Sequence, residues 1–258
     1  MSIESIAKKL REASAQKKGT DPIRDEITNN SIEMAYEVQT INNTIRMENG
    51  AKQTGKKIGL TSKKVQAQLG VDQPDFGLLF DDMEVKDGGT LPWSETMQPK
   101  VEAEITFVLK EDINDENPSI EVIENAIDYA VASLEVVGSR IQDWNIKILD
   151  TVADNASASH YVLGKTQKQL NDIDLINCKM EMSVNGKQVS NGTGKDCLGS
   201  PLIAVQWLAS QMAKVNNPLK KGDVILSGAL GPMAGISPGD EVEASIEGLG
   251  KVSMKFSK

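Results

Sequence analysis

The stretch Val101 to Leu109, VEAEITFVL, decides how this chain of 258 residues is read. As a β-strand it alternates its side chains between two faces, so Glu102 and Glu104 point the same way beside an apolar run. Like charges that close repel. A third acid stands in ASLEVVGSR, where Glu135 sits among Leu134, Val136 and Val137. Three glutamates in two apolar strands carry a desolvation cost that pairing or metal binding has to offset. Two readings are open from spacing alone. Either all three lie on the solvent faces of half-exposed strands, or they form a hard-cation site that leaves positions for water and substrate, as Mg²⁺ or Mn²⁺ prefers.

Around this stretch, from about residue 55, the chain reads as short β-like runs separated by turns: KKIGL, ASLEVVG, YVLG, CKMEMSV, KQVSNG, DVILSGAL, EVEASI and KVSMKF. Asn185-Gly186 is a type I′ hairpin signal between two of them. Helices are predicted near residues 63 to 70, 119 to 130 and 201 to 215. Their spacing is too irregular for repeating βα units, so the expected class is α+β with a mostly β core. The region before it, residues 1–54, reads as helices. Ile3, Ile6, Ala7 and Leu10 make one apolar stripe. Asp21-Pro22 is a helix-start signal. Asn30 with Glu33 suggests a capping box, Met34, Val38, Ile41 and Ile45 a second stripe, and Asn49-Gly50 its end. This region is expected to be a cap or an oligomer contact, with the catalytic domain over 55–258.

Composition narrows the chemistry. A formal net charge of -9 argues against a sequence-independent grip on nucleic acid. No stretch approaches the ~20 apolar residues that cross a bilayer. No early apolar run resembles a signal peptide, and two cysteines unlike CxxC fit a reducing cytoplasm. With His160 the one histidine, a histidine-rich metal site is excluded and a metal would be held by oxygen.

Four further segments have both a plain and a functional reading. Lys57 in GKKIGLTS is either solvated or the local cation that an anionic substrate needs. Asp75 in PDFGLLF is a turn cap or a site acid. ADNASAS, with Ser157, is a loop rich in small polar residues that could line a pocket, and LSGALGPM allows close backbone approach to a ligand. For His160 a strand-end position is the plainer reading, for Trp144 core or interface burial, and for Trp207 a helix face.

Taken in order, GKKIGLTSKKVQAQLGVDQPDFGLLF, QPKVEAEITFVL, SLEVVGSRIQDW, DTVADNAS and GDVILSGALGPM resemble the 2-keto-4-pentenoate (2-hydroxypenta-2,4-dienoate) hydratases of the fumarylacetoacetate hydrolase superfamily. The resemblance covers almost the whole chain. It implies a curled mixed β-sheet core with surrounding helices, and a divalent cation, Mg²⁺ or Mn²⁺, held by Glu102, Glu104 and Glu135. It also maps Lys57 and Asp75 to catalysis and Ser157 to substrate binding. The implied substrate is a small 2-hydroxydienoate or 2-oxo acid from the meta-cleavage degradation of aromatic compounds. A homo-oligomer built on pentamers and an association with a neighbouring pathway enzyme are further implications of the resemblance. A related 4-oxalocrotonate decarboxylase, an acylpyruvate hydrolase and a non-catalytic partner subunit are the rival readings. One departure is visible: the family's usual CLGHP reads CLGSP here, with Ser200 in place of histidine.

Overall fold

A computed structural model describes residues 2–63, 66 and 71–258. Its strands are β1 (Gln53–Gly59), β2 (Asp75–Phe80), β3 (Glu84–Val85), β4 (Thr90–Leu91), β5 (Lys100–Leu109), β6 (Ile127–Val137), β7 (Ala158–Leu163), β8 (Lys179–Val184), β9 (Lys187–Thr193), β10 (Val224–Ala229), β11 (Ala234–Gly235), β12 (Glu241–Ile246) and β13 (Gly250–Phe256). The helices are α1 (Ile3–Gln16), α2 (Ile32–Glu48), α3 (Ile120–Ala126), α4 (Ile148–Ala153) and α5 (Pro201–Lys214).

VEAEITFVL is the centre of the larger sheet, whose order is β2-β1-β10-β5-β6-β7-β3 with β11 added beside β5. A central strand is covered on both faces, so it is buried along nearly its whole length rather than on alternate residues. Val101, Ala103, Ile105 and Phe107 enter the main apolar core, where truncating Phe107 would cost about 3–5 kcal/mol. The opposite face of the same strand carries Glu102, Glu104 and Thr106, all buried. The sheet is mixed: β1 runs parallel to β10, whereas β5 is antiparallel to both β10 and β6. The smaller sheet, β4-β13-β12-β8-β9, packs through β12 and β13 against β6. Between β8 and β9, Asn185 and Gly186 both take positive φ, as a type I′ turn requires. The curled α+β architecture expected above is the one observed.

The N-terminal helices differ from expectation in detail. Asp21-Pro22 does not start an α-helix, because the Ile23 and Arg24 N–H groups are taken by the Asp150 carboxylate and only a short 3₁₀ turn follows, Arg24–Glu26. Asn30 is not the cap of α2. The cap is Ser31, whose hydroxyl accepts from Met34 N–H, while Glu33 accepts from the Ser31 hydroxyl. The fully buried face of α2 is Ala35, Val38, Gln39 and Asn43; of the expected stripe Val38 belongs to it and Met34 and Ile41 pack half-buried beside it, while the polar members have work behind the site. The helix predicted over 119–130 stops at Ala126, since the following residues are drawn into β6. That near 63–70 lies largely outside the described residues. PDFGLLF, read as a turn and an apolar run, is strand β2. Helices α1 and α2 share a second apolar cluster with Ile141, Leu149, Val152 and Ala153, which fixes them to the segment between β6 and β7.

Candidate active site

Strand register assembles the acids. Glu102 on β5 lies directly opposite Glu135 on β6, and Glu104 lies two residues on, opposite Ser133 and beside Ala229 of β10. The solvent-face reading fails: Glu102, Glu104 and Glu135 are 8%, 0% and 1% exposed. Each offers an oxygen within 4.8 Å of the others. One Glu104 oxygen accepts from Gly228 N–H at 2.9 Å, but its other oxygen and Glu135 Oε2 are buried without a hydrogen-bond partner among the described residues, and Glu135 Oε1 has only the ion-pair contact of the Lys57 ammonium. Buried carboxylate oxygens are costly to leave so. Burial, and then mutual repulsion, push the three carboxyls above the ordinary range, Glu102 to about 7 and Glu104 well up. Burial also raises Glu135, against the pull of the Lys57 ammonium. Orphaned, converging, oxygen-only ligands suit a hard divalent cation.

β1 and β2 supply the neighbouring groups. Gly59 pairs with Asp75, so Asp75 lies diagonally across from Lys57 on the same face. Lys57 Nζ is 3.3 Å from Glu135 Oε1 and donates to Ala156 O at 3.0 Å. Burial pulls the ammonium down, yet Glu135, Asp75, Glu102 and Glu104 outweigh it and hold Lys57 above the usual lysine range. Asp75 is raised by burial in spite of Lys57. One of its oxygens, Oδ2, accepts from Thr151 Oγ1 at 3.3 Å, and Oδ1 is buried with no partner. Gly59 is required here: a Cβ on it would stand 2.2 Å from Asp75 Oδ1.

Ser157 enters through the turn after α4. Asn155, Ala156 and Ser157 all take positive φ, a run that costs of order 1–3 kcal/mol per residue and persists only when neighbours enforce it. The enforcement is visible. The Asn155 side chain bonds both the N–H and the carbonyl of Leu78 on β2, as an added strand would, and Asn43 of α2 donates to it. Gln39 of α2 donates to Phe76 O and Val152 O. Ser157 Oγ is thereby set 3.2 Å from Thr151 Oγ1.

These groups open into a cavity of about 550 Å³, within the range of small-molecule sites. Lys57, Asp75, Glu102 and Ser157 line it, with Thr61, Thr151 and the LSGALGPM residues Ala229, Gly231, Pro232 and Met233. The sequence reading missed Thr61, Thr151, Asn191 and Asp196, since an isolated hydroxyl, amide or exposed acid carries no signal of its own. Trp144, read as core or interface, is instead a cavity wall. His160 lines none of it, bonding Ser159 Oγ at 2.8 Å. Ser200 serves structure: its hydroxyl caps α5 by accepting from Leu202 N–H. Trp207 packs on Phe76 as a helix-face residue.

Such a fold and such a nest of carboxylates define a divalent-cation enzyme built on a curled mixed sheet. The chain belongs to the fumarylacetoacetate hydrolase family: that family's profile, fumarylacetoacetate (FAA) hydrolase C-terminal, matches residues 45–257. A 2-keto-4-pentenoate hydratase of Paraburkholderia xenovorans (strain LB400) is 50% identical over 253 residues, 98% of this chain and 94% of that one. A 2-hydroxyhexa-2,4-dienoate hydratase of Comamonas testosteroni is 40% identical, covering 99% of this chain and 98% of its own. Among solved structures, 4-oxalocrotonate decarboxylase from Pseudomonas putida G7, complexed with magnesium and adipate, superposes with a TM-score of 0.94 at 31% identity, over 98% of this chain and 97% of that one.

Proposed function

We propose that the cavity adds water to 2-hydroxypenta-2,4-dienoate, giving 4-hydroxy-2-oxopentanoate, with Mg²⁺ or Mn²⁺ held by Glu102, Glu104 and Glu135. The observation that carries the reading is a cavity lined by Glu102, the buried Lys57 ammonium and Asp75 with its unpartnered oxygen, with Glu104 and Glu135 converging on Glu102 behind that lining. When bound, the cation supplies Lewis-acid polarisation of the 2-oxo group and neutralises charge that develops there.

The remaining chemistry is proton movement. Asp75 Oδ1 is the group for it: buried, without a partner among the described residues, and belonging to a carboxyl whose pKa burial raises. Lys57, held protonated by its ring of acids, attracts the substrate carboxylate and steadies Asp75. Loss of the 2-hydroxyl proton with protonation at C5 yields the conjugated enone; water then adds at C4, giving up one proton, and a proton delivered to C3 completes the product. Ser157 donates to the substrate carboxylate, with Thr151 behind it as the link to Asp75.

The relatives' names favour hydration over decarboxylation, since the hydratases are 50% and 40% identical and the decarboxylase 31%. The same reading carries a cytoplasmic homo-oligomer, pentamer-based, with residues 1–54 as a cap or contact and the catalytic domain over 55–258; light scattering tests the assembly. The reaction is tested by the ultraviolet absorbance of freshly generated 2-hydroxypenta-2,4-dienoate with metal-stripped protein, before and after Mg²⁺ or Mn²⁺. Metal-dependent loss of the diene and a product heavier by one water are expected. No loss in either condition would sink the reaction and make 4-oxalocrotonate the next substrate.

A further inference from the structure

Lys100 stands two residues before Glu102 on β5, hence on the same face, and Val137 lies opposite it as Glu135 lies opposite Glu102. The four side chains form a patch with carboxylates at one end and a lysine–valine rung about 7 Å further along the strands. Val137 lines the cavity, and Lys100 does not. The Lys100 ammonium lies 4.3 Å from the centroid of the Trp144 ring, within cation–π reach. At this level Trp144 and Ile146 form the cavity wall with Val137.

The indole is fixed in that place. Trp144 Nε1 donates to Gln98 O at 2.9 Å, and the Asp143 N–H donates to Gln98 Oε1 at 2.7 Å. The Gln98 amide donates in turn to Ser139 O and Ile141 O. Asp143 and Trp144 both take positive φ, so the turn is bent to present the ring.

We propose that Trp144 is a shield that withholds the Lys100 ammonium from the far end of the cavity, and that the pair sets specificity. Acids with an uncharged tail enter; acids with a second carboxylate at the tail are rejected. Among the described lining residues Lys57 is the one cation, and it is committed at the carboxylate end by its ion pair with Glu135. A tail carboxylate would therefore lose its water without gaining a cationic partner, which is discrimination by an unpaired charge. Removing the ring would expose an ammonium about where such a carboxylate falls. The inference rests on the 2-oxo acid reading given above.

Calorimetric titration of the Mg²⁺-loaded protein with 2-oxohexanoate and 2-oxohexanedioate tests it, because the two acids share a head and chain length and differ at the tail. The wild-type protein binds the monoacid about tenfold more tightly or better, the worth of one charge-assisted hydrogen bond. Trp144→Ala moves the ratio about tenfold toward the diacid, Trp144→Phe keeps the wild-type preference, and Trp144→Ala with Lys100→Met restores it. Equal wild-type affinities, an unchanged ratio in Trp144→Ala, or a shift that survives Lys100→Met would overturn the shield. Should Trp144→Ala not fold, Lys100→Met alone decides: the shield requires an unchanged ratio, and a changed one overturns it. Failure of the wild-type protein to bind either acid would overturn the 2-oxo acid reading itself, which separates that failure from the other.

Discussion

Glu102 and Glu135 face each other in register across β5 and β6, and the cation the structure places against this pair is the Lys57 ammonium, 3.3 Å from Glu135 Oε1. One ammonium does not offset three buried carboxylates and Asp75. On the proposed reading a divalent ion stabilises this arrangement, because burial without one leaves the carboxylates uncompensated.

That imbalance gives the first prediction. Mg²⁺ at a hundredfold excess over its dissociation constant should stabilise the wild-type protein by about 2.7 kcal/mol, seen as a rise in Tm by calorimetry. Glu104→Gln should lose this rise and all turnover. Without metal the same variant should be no less stable than wild type, because it replaces a carboxyl whose charged form burial and its acid neighbours already disfavour, while the amide oxygen still accepts from Gly228 N–H. A destabilised metal-free Glu104→Gln would contradict the view that the carboxylate is disfavoured in the empty nest.

The second concerns pH. Burial, with Glu135 beside it, raises Glu102 to about 7, against an ordinary 4.5. The native state then holds a proton that the unfolded chain releases between those values, so this group's contribution to stability falls as pH rises from about 4.5 to about 7. His160 acts with the opposite sign: burial lowers it to about 4, and its contribution is lost as pH falls from about 6.5 to about 4. His160 is the same with and without metal. The difference in Tm between Mg²⁺-loaded and metal-free protein should therefore isolate the carboxylates and widen steadily across pH 4.5 to 7. A difference independent of pH would count against the raised carboxyls.

On the proposed roles, substituting Lys57 separates metal binding from catalysis. Lys57→Met should leave Mg²⁺ affinity equal or higher, since a competing positive charge is gone, and should reduce turnover by about 10²-fold or more. Isothermal titration with Mg²⁺ alongside the diene assay reads both. Loss of metal in this variant would mean that Lys57 organises the nest rather than the reaction.

What the sequence discloses here follows period and register. The alternation in VEAEITFVL placed Glu102 and Glu104 on one face, and the turn chemistry of Asn185-Gly186 located a hairpin; both are local properties, and both hold. Burial of the acids was not local. It depends on β5 being central in its sheet, which no window of residues around Glu102 encodes. The choice between solvent face and metal nest was made by the resemblance, and the structure agrees on burial. The helix start expected at Asp21 failed where Asp150, distant in sequence, holds the Ile23 and Arg24 N–H groups, whereas the cap expected at Asn30 failed for a local reason, Ser31 offering its hydroxyl one residue on. Thr151 was illegible as a site residue because a short helix, not its neighbours in sequence, brings it to the cavity, whereas Trp144, whose indole could stack on a ligand but reads more plainly as buried, reaches the cavity wall through a bent turn.

Gly59 offers the sharpest steric test. It pairs with Asp75 across β1 and β2, and an added Cβ would stand 2.2 Å from Asp75 Oδ1 and 3.2 Å from Lys57 Nζ. The obstructed group is a short side chain held at its other oxygen by Thr151, so it has little room to yield. Gly59→Ala should therefore displace Asp75 and cost about 1–3 kcal/mol of stability, the usual range for overpacking. The three glutamates lie on other strands and keep their positions, so the Mg²⁺-induced rise in Tm should persist while turnover falls by about 10²-fold or more. Retained activity in Gly59→Ala would remove Asp75 Oδ1 from the proton path, whereas joint loss of metal binding and activity would show that β1 and the carboxylate nest move as one unit.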